Sequence, residues 1–192
     1  MPKSPQNTAI KITSGEFRGR TISVPVVSTT HPMGSREKIA LFNTLVSIIG
    51  PLSGVSFVLD LYCGSGALGL EALSRGAKKA VFVDYNAAAL SATKENITSL
   101  GVSGRTEVIK ADAASLASTS VTWQKYQLIL ADPPYDAYPQ SLAQLADLLT
   151  PDGVLVLSHP SSVNPAQVVP NLAFISTKSY ASANLSFFRH KN

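Results

Sequence analysis

The sequence predicts a doubly wound α/β fold with a largely parallel sheet, and three observations lead to this prediction. Four short apolar runs are typical of fully buried strands, at residues 57–59, 80–83, 128–130 and 154–157. Stretches with helical spacing lie around them, at about residues 66–76, 87–100 and 138–149. Strands that alternate with helices in this way favour a parallel sheet. A chain of 192 residues can bury such a core and favours one domain.

The segment before the first buried strand predicts a β-hairpin followed by a helix. Residues 10–13 and 21–24 alternate apolar and polar side chains, and the turn between them carries two glycines with Arg18 and Arg20. Ser35 is a candidate cap for a helix whose apolar positions continue to Ile49, where Gly50-Pro51 ends it.

The end of the chain predicts a second hairpin. Residues 174–180 and 185–189 indicate two neighbouring strands joined by a short turn, which fits an antiparallel pair at the edge of the sheet. Residues 160–170 hold three prolines and are predicted to form a loop.

The positive charge is confined to one end of the chain. The net charge is +4, and residues 1–38 hold six basic groups against two acidic ones, whereas residues 39–192 hold ten of each. We therefore expect a basic N-terminal extension, residues 1–38, on a neutral domain, residues 39–192. Such an extension suits a polyanionic partner, with a merely solubilising role as the alternative.

Several protein classes are excluded by the composition. A single cysteine, Cys63, rules out an intramolecular disulfide and a multi-cysteine zinc cluster. Residues 1–9 are mostly polar and include two prolines, so we expect no secretory leader. The longest uncharged stretch, residues 39–59, contains eight polar, glycine or proline residues, which argues against a membrane span. We expect a cytoplasmic protein.

A glycine loop follows the first buried strand. Gly64, Gly66 and Gly69 match the pattern G-x-G-x-x-G between a strand and a helix, and Asp84 comes 20 residues after Gly64 at the end of the next strand. A carboxylate there can accept hydrogen bonds from ribose hydroxyls, so the loop predicts a nucleoside cofactor. Tight packing of helix on strand is the alternative reason for the glycines.

Asp60, at the end of the first buried strand, bears on which cofactor is bound. A carboxylate there would repel a pyrophosphate, but it suits the ammonium and sulfonium groups of S-adenosylmethionine. This favours a methyl donor over a dinucleotide without settling the choice.

The tetrapeptide Asp132-Pro133-Pro134-Tyr135 directly follows another buried strand. Ligands of open α/β sheets bind at the carboxyl ends of strands, so this motif is expected to face the glycine loop. The Asp132 carboxylate and the Pro133 carbonyl can accept the two N–H bonds of a planar amine and draw its lone pair towards a methyl group. The paired prolines Pro133 and Pro134 stiffen the turn, and Tyr135 can stack on a flipped base. An ordinary rigid loop is the alternative.

The sequence resembles the class I S-adenosylmethionine-dependent methyltransferases that act on amino groups. The resemblance lies in residues 60–69, Asp84, Asp112-Ala113 and residues 132–135. Residues 14–20, residues 32–45 and residues 68–76 further resemble the bacterial RsmD family, which methylates the N2 amine of a guanine in 16S rRNA. The resemblance covers about residues 10–190. It implies a Rossmann-like sheet of seven strands with an antiparallel last strand, and a 30S subunit or assembly intermediate as partner.

The resemblance also implies roles for individual residues, and the reaction it implies requires no metal. Cofactor binding falls to Asp60, Gly64 and Gly66 for the methionine part, Asp84 for the ribose, and Asp112 with Ala113 for the adenine. Residues 132–135 would hold the target amine. His31-Pro32-Met33 and Gly34-Ser35 depart from the family pattern, which leaves the exact nucleotide open.

Several further residues have a plainer interpretation. Arg18 and Arg20 suit phosphate contact, as does Arg36, and the neighbouring Phe17 suits base stacking. Cys63 is read as a small residue of the donor loop, and Glu71 as a complement to a helix dipole. No metal or catalytic role is assigned to the three histidines, and a monomer is the default.

Other functions remain open from the residues alone. The acceptor motif would serve a DNA adenine or a protein glutamine amide equally well. An NAD-dependent oxidoreductase shares the glycine pattern, and a non-catalytic RNA-binding module would leave residues 132–135 unexplained.

Overall fold

The computed structural model describes residues 10–24, 33–113, 116, 124–140, 142–180 and 183–191. The strands are β1 (Ile10–Lys11), β2 (Thr21–Ile22), β3 (Phe57–Leu61), β4 (Lys79–Asp84), β5 (Thr106–Lys110), β6 (Tyr126–Ala131), β7 (Leu149–His159), β8 (Leu172–Ser179) and β9 (Asn184–His190). The helices are α1 (Ser35–Ile49), α2 (Ala67–Ser74), α3 (Ala87–Leu100), α4 (Leu145–Leu148) and α5 (Pro165–Val168). Among the helices of the described residues, none is long and apolar enough to cross a membrane.

The sheet has seven strands in the order β5-β4-β3-β6-β7-β9-β8. The first five are parallel, and β9 is antiparallel to both of its neighbours. This confirms the predicted α/β fold with its antiparallel last strand. β1 and β2 form the separate N-terminal hairpin, which is also confirmed.

Both faces of the sheet are covered. Alternate residues of β3 point to opposite sides, so that Val58 joins one buried cluster and Leu59 the other. The first cluster contains α1, α2, α3 and the hairpin residues Ile12 and Ile22. The hairpin therefore shares a core with the main sheet, and the division at residue 38 stays a prediction.

The predicted helix at residues 138–149 is wrong. Tyr135–Ala137 form a 3₁₀ turn, α4 covers only Leu145–Leu148, and β7 begins at Leu149. The backbone N–H of Leu142 donates to the carbonyl of Val168 at 2.7 Å, a bond to a distant segment that replaces the helical i−4 bond. The apolar residues of this stretch, such as Leu142 and Leu145, are buried against the sheet without forming one continuous helix.

Three smaller differences have local causes. Gly34, and not Ser35, caps α1, because the Glu37 carboxylate accepts the N–H of Gly34 at 2.9 Å. The predicted loop at residues 160–170 contains the short helix α5. β5 has no fully buried residue and pairs only with β4, so it lacks the apolar run that marked the other strands.

Candidate active site

Four carboxylates lie along the carboxyl edge of the parallel strands. Asp60 is in β3, Asp84 ends β4, Asp112 follows β5 and Asp132 follows β6, and these strands are consecutive in the sheet. The negative charges of Asp132 and Asp84 both raise the pKa of Asp60. The fold thus brings the acidic residues predicted for donor and acceptor binding to one edge.

Asp60 is the most deeply buried of them, at 1% exposure. Its Oδ2 accepts the N–H of Gly69 at 2.8 Å. Burial raises the pKa of Asp60 well above its ordinary value, and the Gly69 hydrogen bond only partly offsets this. A cation bound beside Asp60 would relieve that penalty.

The loop between β3 and α2 is built from left-handed backbone. Tyr62, Gly64 and Gly66 have φ of 58°, 56° and 77°, so two glycines are placed where L side chains are strained. A Cβ on Gly69 would lie 2.4 Å from Cε1 of Phe82. Close packing of α2 on β4 therefore explains Gly69, which was the alternative left open for the glycine pattern.

Asp84 ties this loop to the next strand. Its two carboxylate oxygens accept the N–H groups of Gly64 and Asn86, each at 2.9 Å. Each oxygen keeps a further lone pair, so the carboxylate can still accept bonds from ribose hydroxyls. The side chain is held in one orientation by the backbone that surrounds it.

Asp112 and Ala113 complete this end of the edge. Asp112 is exposed, whereas Ala113 is buried and its carbonyl accepts Nε2 of Gln144 at 2.9 Å. Burial raises the pKa of Tyr62 to about 12, with smaller contributions from Asp112 and Asp84. Tyr62 therefore lies close to both of these carboxylates.

The acceptor motif lies beside Asp60. The Asp132 N–H points to the carbonyl of Leu61 at 3.4 Å, and Pro133 is buried, whereas the Tyr135 residue is 39% exposed. Burial raises the pKa of Asp132 above its ordinary value, a hydrogen bond from Ser158 lowers it, and the charge of Glu37 raises it. The motif thus presents a carboxyl and an aromatic ring next to the donor loop.

The predicted RNA-binding arginines do not lie together. Arg18 and Arg20 are exposed on the hairpin turn, whose Glu16 N–H donates to the Ser74 carbonyl at the end of α2. α2 starts at the glycine loop and has eight residues, so the turn lies about 12 Å farther away. Arg36 is exposed in the first turn of α1, next to Glu37, whose charge reaches Asp132.

Two expectations for the basic extension are wrong in detail. Phe17 is 8% exposed and packs in the core, so it is not available to stack on a base. Lys38 is fully buried, donates to the carbonyl of Lys11 at 2.8 Å and lies 3.9 Å from Glu71. The surface charge of this segment is therefore smaller than the sequence count suggests.

Sequence reasoning missed two residues. Glu71, interpreted as a helix-dipole residue, is buried and accepts bonds from Thr13, Ser14 and Arg75. Ser158, given no role, contacts Asp132 and Tyr135. A lone acidic residue in an apolar helix and a polar residue at the end of an apolar strand were the available signals.

Cysteine and histidine match their plainer interpretation as far as they are described. Cys63 is buried, with Sγ 3.7 Å from Oγ1 of Thr93, and burial raises its thiol pKa. His159 Nε2 lies 2.8 Å from Ser186 Oγ, and His190 Nε2 lies 3.0 Å from the carbonyl of Leu149. His31 and Pro32, part of the departure from the family pattern, lie outside the described residues.

Comparison with known proteins bears on the function of the residues along the carboxyl edge of the sheet. The model of the family described as Conserved hypothetical protein 95 matches residues 10–189, which is nearly the whole chain. The chain belongs to this RsmD-like family. Its members are class I S-adenosylmethionine-dependent methyltransferases, and membership sets aside the dinucleotide-dependent oxidoreductase.

Individual relatives of this RsmD-like chain agree. The YlbH protein of Bacillus subtilis, provisionally named an rRNA methyltransferase, is 29% identical over 187 residues, covering 95% of this chain and all of the relative. Ribosomal RNA small subunit methyltransferase D of Haemophilus influenzae is 33% identical over 127 residues, covering 66% of this chain and 64% of the relative. The structure of yhhF from Escherichia coli, provisionally named a methyltransferase, superposes with a TM-score of 0.78 at 25% identity, covering 95% of this chain and 98% of the other.

Proposed function

We propose that this protein transfers a methyl group from S-adenosylmethionine to the exocyclic N2 amine of a guanine in 16S rRNA of the small ribosomal subunit. The observation that carries the proposal is the position of residues 132–135 beside Asp60 at the carboxyl edge. The names of the relatives, which assign them to rRNA and its small subunit, support the choice of substrate.

The donor site fits a cationic nucleoside. Asp60 is buried, its pKa is raised by burial and by two neighbouring carboxylates, and the ammonium and sulfonium groups would offset those negative charges. Asp60, Gly64 and Gly66 would hold the methionine part, Asp84 the ribose, and Asp112 with Ala113 the adenine. When bound, S-adenosylmethionine supplies an electrophilic methyl group.

The acceptor motif would position the amine. The Asp132 carboxylate and the Pro133 carbonyl would each accept one N2–H bond, while Pro134 stiffens the turn and Tyr135 stacks on the flipped guanine. These two acceptors would direct the N2 lone pair towards the methyl group that the bound donor supplies, and one N2 proton would leave to water as the methyl group is transferred. Positioning supplies the larger part of the acceleration.

The basic residues would bind the RNA backbone at two places. Arg36 lies on α1 near the acceptor motif, and Arg18 and Arg20 lie on the hairpin turn at the far end of α2. Two contacts separated in this way suit a folded RNA more than a short linear sequence. We therefore expect the 30S subunit or an assembly intermediate as partner, in the cytoplasm, with the enzyme acting as a monomer.

Methyl transfer to 30S subunits tests the proposal directly. Subunits from cells lacking the endogenous enzyme are incubated with labelled S-adenosylmethionine, and the RNA is digested for nucleoside analysis. Label in N2-methylguanosine is expected from the native protein and not from Asp132→Ala. Asp152→Ala is the matched control, because Asp152 is exposed near the amino end of β7, away from the site.

The outcomes separate the candidate substrates. Label in N2-methylguanosine with the native chain and the control, together with its loss in Asp132→Ala and unchanged donor binding, is the expected pattern. Donor binding without any labelled RNA contradicts the substrate, and DNA adenine and protein glutamine amides are then tested with the same label. Full activity of Asp132→Ala contradicts the role of the acceptor motif.

A further inference from the structure

Ser158 lies beside the acceptor motif, near the carboxyl end of β7. β6 and β7 are parallel with Ala131 opposite Leu157, so the next residues, Asp132 and Ser158, are neighbours. On its other side Ser158 pairs with Leu185 of β9, and only 2% of it is exposed. The backbone at this position is therefore held by strands on both flanks.

The side chain of Ser158 contacts two members of the motif. Its Oγ lies 2.8 Å from Oη of Tyr135. Its hydroxyl is also close enough to the neighbouring Asp132 carboxyl to lower the pKa of Asp132. The Ser158 carbonyl also accepts Oη of Tyr138 at 3.0 Å. Either hydroxyl can donate in the Tyr135–Ser158 bond. When Ser158 directs its single proton to ionised Asp132, which only accepts, Tyr135 is the donor to Ser158.

We propose that Ser158 is a positioning residue that holds the Asp132 carboxylate and the Tyr135 ring at a fixed separation for the target amine. The proposal rests on the proposed function, because it assigns no chemistry to Ser158 itself. The chain from Tyr135 through Ser158 to Asp132 restrains both side chains from one buried point, while the remaining lone pairs of Asp132 stay free to accept an amine.

The contact with Ser158 also affects the pKa of Asp132. Glu37 of α1 and Asp60 of β3 face it with negative charge, and Tyr135 and Tyr138 lie on the loop that follows it. Burial and Glu37 raise the Asp132 pKa, whereas the Ser158 hydrogen bond lowers it. Ser158 therefore opposes the rise in the Asp132 pKa and favours the ionised carboxyl that can accept an N–H bond.

The test compares Ser158→Ala with Ser186→Ala in the full-length protein. Ser186 is a buried serine on β9 whose hydroxyl contacts His159 and Thr177, so its removal is a matched loss of a hydroxyl in the same sheet. The readouts are kcat and KM on 30S subunits across pH, the Kd for S-adenosylmethionine, and the Asp132 carboxyl pKa. That pKa is measured by ¹³C NMR, with Asp132→Asn used to assign the signal.

For Ser158→Ala we expect kcat to fall about 10- to 100-fold, because small misplacements of reacting groups have large effects on rate. The Kd for S-adenosylmethionine should stay within about twofold of the native value. The Asp132 pKa should rise, and the acid limb of the pH profile of kcat should move to higher pH with it. Ser186→Ala should move neither the pKa nor the acid limb.

An unchanged Asp132 pKa in Ser158→Ala overturns the inference, and so does an unchanged kcat. If the native protein methylates no RNA, the proposed function fails, while the NMR titration still shows whether Ser158 controls Asp132. If the native protein methylates N2 and Ser158→Ala does so equally well, only the present inference fails.

Discussion

Glu71 accepts two hydrogen bonds from Thr13, a residue 58 positions earlier in the chain. Its Oε2 accepts the Thr13 N–H at 2.8 Å, and its Oε1 accepts the Thr13 hydroxyl at 2.5 Å. Oε1 also accepts Nε of Arg75 at 2.9 Å, and Lys38 lies 3.9 Å from Oε2. This buried carboxylate joins the hairpin, α1 and α2 at one point.

Replacement of Glu71 by alanine should lower the free energy of unfolding by about 3–5 kcal/mol, because it leaves buried donors and Lys38 without their partner. Glu71→Gln should lower it less, since the amide keeps one acceptor. Urea unfolding measures both variants. Glu95→Ala is the control, because Glu95 is exposed on α3 with only a 3.5 Å contact to Ser91, and a loss no larger than that of the control would contradict the role of Glu71.

Gly15→Ala and Gly19→Ala form a matched pair on the hairpin turn. Their φ values are 84° and 83°, so both substitutions carry backbone strain of about 1–2 kcal/mol. A Cβ on Gly15 would also lie 1.8 Å from the Ser74 carbonyl oxygen, whereas nothing lies within 4 Å at Gly19. Unfolding should therefore show a further loss of about 1–3 kcal/mol for Gly15→Ala, and equal losses would show that the turn does not pack on α2.

Asp60→Asn should weaken the binding of S-adenosylmethionine and stabilise the free enzyme. The Asp60 pKa is raised above 3.8 by burial first, so this carboxyl favours folding below its unfolded-state pKa, and that contribution is lost as pH rises through the folded-state pKa. Asparagine can still accept the Gly69 N–H and has no charge to lose. The stability of Asp60→Asn relative to the native protein should rise with pH above about 4.

Thermal unfolding and calorimetry across pH check this prediction. At neutral pH we expect the melting temperature of Asp60→Asn to equal or exceed that of the native protein. Its affinity for S-adenosylmethionine should fall about 30-fold, the equivalent of about 2 kcal/mol for a lost charged hydrogen bond. A lower melting temperature together with native affinity would refute both parts.

Arg18→Ala and Arg36→Ala should each weaken RNA binding and reduce the slope of log K against log salt by about 1, because each removes one phosphate contact. Filter binding to 30S subunits at several salt concentrations measures the slope. Arg189→Ala is the control, since Arg189 is exposed and pairs with Val154 in the middle of β7, four residues before Ser158 at the acceptor motif. Unchanged slopes for Arg18→Ala and Arg36→Ala would exclude both arginines from the RNA contact.

Local patterns predicted most of the architecture and much of the candidate site. Val58 and Leu59 belong to a continuous apolar run because both faces of the sheet are covered, and such runs marked four of the seven strands. β5 was missed because it lies at an edge with partly exposed residues. The helix predicted at 138–149 failed because the Leu142 N–H bonds to Val168, a partner that no local window contains.

The sequence by itself determined the α/β class, the glycine loop and the acidic residues at the strand ends, because these depend on short-range spacing and on where parallel strands terminate. Only the tertiary structure decided that Phe17 and Lys38 are buried, that Glu71 anchors the hairpin, and that Ser158 contacts Asp132. Those contacts join residues far apart in the chain, and burial and hydrogen bonding depend on which surfaces meet when the chain folds.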